Sequence, residues 1–387
     1  MGTSADIITV LDEAVSAGVF DSSAAGKQYL ATIMNGVPSV SNIESYCRII
    51  EGKYYVRTLM TTARDIINMC SEGQDNPAQL LDAAEQMMYD IRQGRDMDGL
   101  TKIEEVIVDT YDHLQKITGP DKDQYLGARS GFGGLDTLIT GLNKSDLILL
   151  AARPGLGKTS FALNIATNMC RYTQNKQVAV FSLEMSKEQL ASRMLSSESC
   201  VNSNSLRTGN LSAEDWKNLA IGAQHLSGMP IYLDDTAGIT VVQMKAKLRR
   251  LKNLGLVIID YLQLMSSSRR IDNRVQEISE ITRQLKLMAK ELNVPVITLS
   301  QLSRAVESRT EKRPVLSDLR ESGSIEQDAD IVMFLYREGY YNKQADNQNL
   351  SECIVAKNRH GETGNVPLIW DGQFTRFSSP EMYRTPE

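Results

Sequence analysis

The chain has 387 residues, 42% hydrophobic and 23% charged, an ordinary globular composition with room for two domains. A formal net charge of −6 is not the global signature of a nucleic-acid binder, so any contact with a strand falls to a local basic surface. No apolar run reaches the roughly 18 residues of a membrane helix, and the opening MGTSADIITVLDE has no leader pattern.

Residues 1–40 mix short helical patterns with turn signals such as NGVPS. Residues 43–70 carry Ile43, Tyr46, Ile50, Tyr54, Leu59, Ala63 and Ile67 at helical spacing. EGQDNPAQ breaks that helix, and LLDAAEQMMYDIRQG starts another. Two long helices around a short break predict a helical hairpin, which has too little core alone and is expected to pack on a copy of itself. Residues 96–129 read as a linker around one amphipathic helix at 102–117, with Ile103, Val106, Ile107, Tyr111 and Leu114 on one side. That face needs a groove, either in its own domain or on a neighbouring subunit.

From residue 130 the pattern changes. Apolar runs DLILLAA, QVAVFSL, LVIID, PVITLS, DIVMFLY and ECIVAK alternate with helical segments. Near-continuous apolar runs suit parallel strands buried on both faces, so residues 130–387 are expected to form an α/β domain with a mostly parallel sheet. Five widely spaced cysteines and three isolated histidines predict a reducing, cytoplasmic setting and no zinc-type cluster.

Within that domain, LILLAARPGLGKTSFALNIA (147–166) runs from strand through a Gly/Pro turn into helix. Gly155 and Gly157 let the backbone approach phosphate oxygens closely, and the following helix N-terminus adds free amides. Arg153, Pro154, Ser160 and these glycines make up the expected nucleotide loop, with Lys158 reaching the β- and γ-phosphates and Thr159 offering its hydroxyl to Mg²⁺. Ala152 stands where this pattern usually begins with glycine. It ends the strand, and alanine serves there if its φ stays negative.

Asp260 closes the apolar run GLVIID and suits a carboxylate that holds Mg²⁺. Glu184, just past QVAVFSL, reads either as the group that polarises the attacking water or as a solvated acid before a helix capped by Ser186 and Gln189. Gln301 ends PVITLSQ and reads as a γ-phosphate contact or as the polar start of a loop. Lys357 and Arg359, two apart in AKNRHG, lie on one side of a strand and suit either a trans-acting cation pair or a solvated strand end. Arg269, Arg270 and Arg274 lie in one Ser-rich loop, and Arg304, Arg309, Lys312, Arg313 and Arg320 lie in another. Both loops follow core strands, so they could bind a nucleic-acid backbone or simply face solvent.

The ordered set GFGGLDTLITGL, AARPGLGKTSFALNIA, VFSLEMS, LVIIDYLQLM, VITLSQLSR, RPVLSDLRESGSIEQDADIVMFLYR and AKNRHGETG resembles the DnaB family of replicative helicases, hexameric motors of RecA-like fold. The resemblance is dense over 130–378 and looser upstream. IESYCRIIEGKYYVRTLM looks like the start of that family's N-terminal hairpin, and 102–117 like its subunit-docking helix. DIITVLDEAVSAGVF looks like the middle of the N-terminal domain, so residues 1–95 are expected to be a shortened form of it.

The resemblance implies ATP and Mg²⁺ as cofactors, with Lys158 and Thr159 on phosphate and metal and Asp260 on the metal. It implies Glu184 as catalytic base, Gln301 as phosphate sensor, and Lys357 and Arg359 as groups given to a neighbour's site. Arg320, Glu321 and Gly323 match a loop on single-stranded DNA, with Arg269, Arg270 and Arg274 in a second one. The implied partners are single-stranded DNA, identical subunits in a homo-hexamer, a primase and a helicase loader, with no membrane. The implied activity is ATP-driven 5′–3′ translocation and duplex unwinding. A RecA-like recombination ATPase and an ATP-dependent assembly scaffold are the other readings.

Overall fold

The computed structural model describes residues 22–36, 43–71, 77–92, 102–119, 126–173, 175–267, 273–319, 323–342 and 346–380, with a few single positions besides. The chain divides into two compact units, Met1–Gly99 and Leu100–Glu387.

The first unit is helical, with α1 (Ser23–Gly36), α2 (Ile43–Ser71) and α3 (Pro77–Arg92). α2 and α3 pack on each other, as the two periodic segments predict. Tyr46, Ile50, Tyr54, Leu59 and Ile67 on α2 remain exposed in the single chain.

The second unit opens with α4 (Ile103–Thr118), whose Ile103, Val106, Ile107, Tyr111 and Leu114 are all exposed. α5 (Gly133–Ile139), β1 (Leu147–Ala152), α6 (Lys158–Tyr172), β2 (Gln177–Ser182) and α7 (Lys187–Ser199) follow. Ser186 and Gln189 form the expected capping box of α7. α8 (Ser203–Thr208), α9 (Ala213–Ser227), β3 (Ile231–Asp234), α10 (Val241–Leu248) and β4 (Leu254–Asp260) lead to the long α11 (Arg274–Leu292) and β5 (Val296–Gln301). The chain then runs through α12 (Ala305–Ser308), α13 (Gly323–Asp328), β6 (Ile331–Tyr336), α14 (Glu338–Tyr341), β7 (Leu350–Asn358), β8 (Gly364–Asp371) and β9 (Arg376–Ser378).

The nine strands form one sheet in the order β3-β2-β4-β5-β1-β6-β7-β8-β9. The first six are parallel, and β7, β8 and β9 extend the sheet as antiparallel neighbours. β1 lies in the middle with all six residues buried, because cores cover both faces. The six apolar runs are β1, β2, β4, β5, β6 and β7. β3, β8 and β9 are strands that those runs do not mark. β9 pairs only with Ile369–Asp371, which leaves Pro367 of β8 where its missing N–H is tolerated.

Candidate nucleotide site

The carboxyl ends of β2, β4, β5 and β1 lie side by side, the position where open parallel sheets present ligand sites. Ser182 of β2 is level with Asp260 of β4, and Gln301 of β5 with Ala152 of β1. Chain continuity therefore delivers the β1–α6 loop, Glu184, Asp260 and Gln301 to one end of the sheet. Lys158, Thr159, Glu184 and Gln301 line one cleft there with Pro154 and Ser160.

The loop has the shape its glycines predict. Gly155 and Gly157 have φ of +81° and +89°, while Ala152 is absent from the positive-φ positions and ends the strand as expected. Gly157 has a second constraint: a Cβ there would stand 2.9 Å from Phe377 and 3.1 Å from Trp370. β8 and β9 thus press on the loop from outside.

Thr159 Oγ1 donates to Asp260 Oδ2 at 2.6 Å, and Lys158 Nζ lies 3.6 Å from Asp260 Oδ1. Asp260 is 1% exposed, and its Oδ1 accepts no hydrogen bond. Such a buried, under-satisfied carboxylate oxygen next to a threonine hydroxyl fits a hard divalent cation that keeps most of its water shell. Burial lowers the Lys158 pKa, opposed by the carboxylates of Asp260 and Glu184, and the ammonium also sits 4.5 Å from the Tyr261 ring centre. An incoming phosphate would add a further anionic partner to this buried ammonium. Glu184 is exposed at the cleft, and the Gln301 side chain makes no hydrogen bond to another described residue.

Three other sets of expected residues have partners elsewhere in the single chain. The Arg153 guanidinium is not free for phosphate: Nε donates to Glu307 Oε1 at 2.8 Å and a terminal nitrogen donates to the Leu302 carbonyl at 2.9 Å. Only its backbone remains for the nucleotide. Arg274 is likewise engaged, donating to Glu277 and to the Gln263 carbonyl, which fixes the start of α11 rather than presenting a free cation. Lys357 and Arg359 do not join the cleft. Lys357 Nζ donates to the Glu326 and Ala329 carbonyls, and Arg359 donates to the Gln327 carbonyl, so both cations cap the end of α13. Arg359 NH1 also lies 3.5 Å from Asp330 Oδ1. Arg269, Arg270, Arg320 and Glu321 fall outside the described residues, and Gly323 opens α13.

Four cleft residues carry no sequence signal. Tyr261 follows Asp260, Arg193 comes from α7, Trp370 from β8 and Thr375 from the turn before β9. Arg337 stands over the rings of Trp370 and Tyr340, at 5.6 and 5.8 Å from their centres, and reaches the Gly155 carbonyl at 3.5 Å. Among the described residues there is no group of three His, Cys, Asp or Glu side chains that could hold a metal ion, and no helix is long and apolar enough to cross a membrane.

A strand–glycine loop–helix facing a buried strand-end aspartate, on a sheet of this order, defines a P-loop ATPase of RecA-like fold. Residues 127–379 match the family model of the DnaB-like helicase C terminal domain, and 1–52 match that of the DnaB-like helicase N terminal domain. Replicative DNA helicase DnaC of Bacillus subtilis (strain 168) is 46% identical over 384 residues, 98% of this chain and 84% of that protein. Replicative DNA helicase DnaB of Geobacillus stearothermophilus is 45% identical over the same shares. A solved DnaB-like replicative helicase, described with its interactions with primase, superposes with a TM-score of 0.72 at 34% identity, covering 98% of this chain and 88% of that one. The chain belongs to the DnaB-like replicative helicase family.

Proposed function

We propose that the chain works as a ring-forming, ATP-driven replicative DNA helicase whose active sites are completed between subunits. The observation that carries this reading is the split of the expected catalytic set. Lys158, Thr159, Asp260, Glu184 and Gln301 gather beyond the carboxyl end of β1, whereas Arg359 donates its backbone N–H to Asp330 at the amino end of β6. Asp330 in turn binds the Leu147 N–H at the start of β1. Five residue steps of about 3.3 Å separate the two ends of β1, roughly 16 Å, too far for an arginine side chain to span. Arg359 can serve a phosphate only in another copy of the chain.

In this reading the 153–159 backbone and Lys158 hold the phosphates. Thr159 and Asp260 would hold Mg²⁺, which supplies charge neutralisation at the β- and γ-phosphates. Glu184 accepts a proton from the attacking water as its oxygen bonds to the γ-phosphorus and the bond from that phosphorus to the β–γ bridging oxygen breaks, releasing ADP and phosphate, and Gln301 contacts the γ-phosphate. Lys357 and Arg359 leave the α13 carbonyls for the neighbour's site, where Arg359 offsets the charge of the transferring group. Arg193 adds a cation from the same subunit, and Arg337, Trp370 and Tyr340 offer a flat cationic and aromatic wall for a purine. By the family resemblance, Arg320, Glu321 and Gly323, with Arg269 and Arg270, are assigned to single-stranded DNA, so that nucleotide turnover would move the strand in the 5′–3′ direction. The relative solved with its interactions with primase supports a primase as partner, and the family resemblance implies a helicase loader.

The test is steady-state ATP turnover with and without single-stranded DNA over a range of protein concentrations, paired with unwinding of a forked duplex. Turnover that rises cooperatively with concentration, is stimulated by DNA and accompanies unwinding is expected. Turnover proportional to concentration and indifferent to DNA refutes the shared site. DNA-stimulated turnover without unwinding would favour a recombination-type ATPase.

A further inference from the structure

Arg153 lies inside the nucleotide loop, one residue past β1, yet the residue is 7% exposed and two of its guanidinium nitrogens are engaged. Both of its acceptors, the Glu307 carboxylate and the Leu302 carbonyl, belong to the segment that leaves β5 after Gln301. That segment is itself tightly held. The Leu302 N–H donates to the Ala152 carbonyl at 3.2 Å, and the Ser303 N–H donates to the Asp318 carbonyl at 3.1 Å. The Asp318 carboxylate, 5% exposed as a residue, accepts the Val315 N–H at 2.8 Å and the Arg309 guanidinium. Val306 of α12 and Leu319 are buried in the core face that covers β1 and β5. One unbroken set of contacts therefore joins the nucleotide loop to Asp318, two residues before Arg320.

We propose that Arg153 and Glu307 form the tie through which the state of the nucleotide loop reaches the DNA-facing segment, with Arg153 as a positioning residue and not a phosphate ligand. This rests on the reading of 319–323 as a strand contact. The physical case has three parts. A guanidinium held at two of its nitrogens fixes direction as well as distance, which a lysine could not do. The pair is shielded on its arginine side, so it is screened less than a surface pair. Packed elements switch between arrangements rather than deform smoothly. When phosphate reshapes the backbone at Arg153, the side chain must therefore carry α12 with it or break both contacts. Glu307 has 43% of its side chain exposed and is separated from Arg153 by 154 positions, so its role as a tie is open to substitution without disturbing the cleft.

The test uses the full chain and Glu307→Ala, with Glu307→Asp as the conservative variant. Three quantities are read: turnover without DNA, its stimulation by single-stranded DNA, and the affinity for a fluorescent oligo-dT with a non-hydrolysable ATP analogue against ADP. For Glu307→Ala, DNA-free turnover should stay within about twofold of wild type, while the nucleotide dependence of DNA affinity and the DNA stimulation each fall about fivefold or more. Glu307→Asp should fall between the two. Unchanged nucleotide dependence in Glu307→Ala overturns the tie. Loss of DNA-free turnover and of DNA affinity in both nucleotide states, with a lowered melting temperature, also overturns it, since Glu307 would then only hold the fold. If the wild-type chain binds oligo-dT equally in both nucleotide states, the strand-contact reading itself fails, and the tie with it.

Discussion

Two subunits that are each inactive should restore turnover when they assemble together. Lys158→Ala removes the phosphate cation from one end of β1, and Arg359→Ala removes the guanidinium anchored at the other. Arg359→Ala also deletes its contacts to Asp330 and the Gln327 carbonyl, but the Arg359 side chain is 49% exposed. A pair that solvent screens this well is worth about 1 kcal/mol or less, so the variant should melt close to wild type. Its defect should instead be kinetic, about 10³-fold or more in turnover if Arg359 acts as a trans-acting finger. In the proposed ring each site takes its loop from one subunit and its Arg359 from the next. At equal co-expression, a site is complete when an Arg359→Ala subunit supplies the loop and a Lys158→Ala subunit supplies the arginine. That holds for about one interface in four in a closed cyclic ring. The co-assembled ring should then recover roughly a quarter of wild-type turnover if sites fire independently, and less if firing is concerted. The assay is steady-state phosphate release by rings whose mixed composition is confirmed by native mass spectrometry. Mixed rings as inactive as either parent, or an Arg359→Ala ring that hydrolyses ATP normally, would refute the argument from sheet polarity.

Glu184→Gln should still bind ATP while turnover falls about 10²-fold or more, and normal turnover would return Glu184 to the role of a solvated acid. Gly157→Ala places a Cβ at a φ of +89° and 2.9 Å from Phe377. Backbone strain of about 1–2 kcal/mol and overpacking of about 1–3 kcal/mol should lower the melting temperature and abolish nucleotide binding. A variant that melts and binds like wild type would mean β8 and β9 do not support the loop. Burial raises the Cys353 thiol to about 12, whereas Cys70 and Cys200 are exposed. An alkylating reagent at mildly alkaline pH should therefore modify Cys70 and Cys200 and spare Cys353, read by mass spectrometry of the native chain. Modification of Cys353 would mean that the β6–β7 pairing opens.

Most of the strands that could be read in the sequence are buried on both faces, and β7, alternately buried, is the exception, read from the apolar stretch in ECIVAK. LILLAA and LVIID are apolar runs because helices cover them above and below, and their ends mark where Lys158 and Asp260 must emerge. β8 carries Gly364, Pro367 and Asp371 with only alternate burial, and β9 has three residues, so neither makes an apolar run. Trp370, against the loop, was hidden for the same reason. Lys158, Thr159, Asp260, Glu184 and Gln301 could be placed because each lies at or just beyond a strand end, and a parallel sheet gathers those ends. The engagement of the Arg153 side chain could not be read for the opposite reason. Loop membership is a local property, but the side chain's partner is Glu307, and no spacing within RPGLGKT points to it.

Sheet polarity also explains why this domain would need copies of itself. In a parallel sheet every strand delivers its following residues to one end, so phosphate loop, metal carboxylate and base collect there without further design. A finger that serves the same phosphates cannot come from the other end of the same sheet. β7 runs antiparallel to β6, and it therefore returns Lys357 and Arg359 to the end where β1 begins. In the single chain they stand against α13, whose first residue, Gly323, is the last of the proposed strand-contact segment. Lys357 and Arg359 cannot leave the α13 carbonyls for a neighbour's phosphate without uncapping the helix that anchors that segment. The proposed Arg153–Glu307 tie runs from the subunit's own nucleotide loop to Asp318, next to that segment. A strand grip set from its own site through Arg153 and from the adjacent site through Arg359 would respond to two nucleotides at once, which is what stepping in sequence around a ring requires.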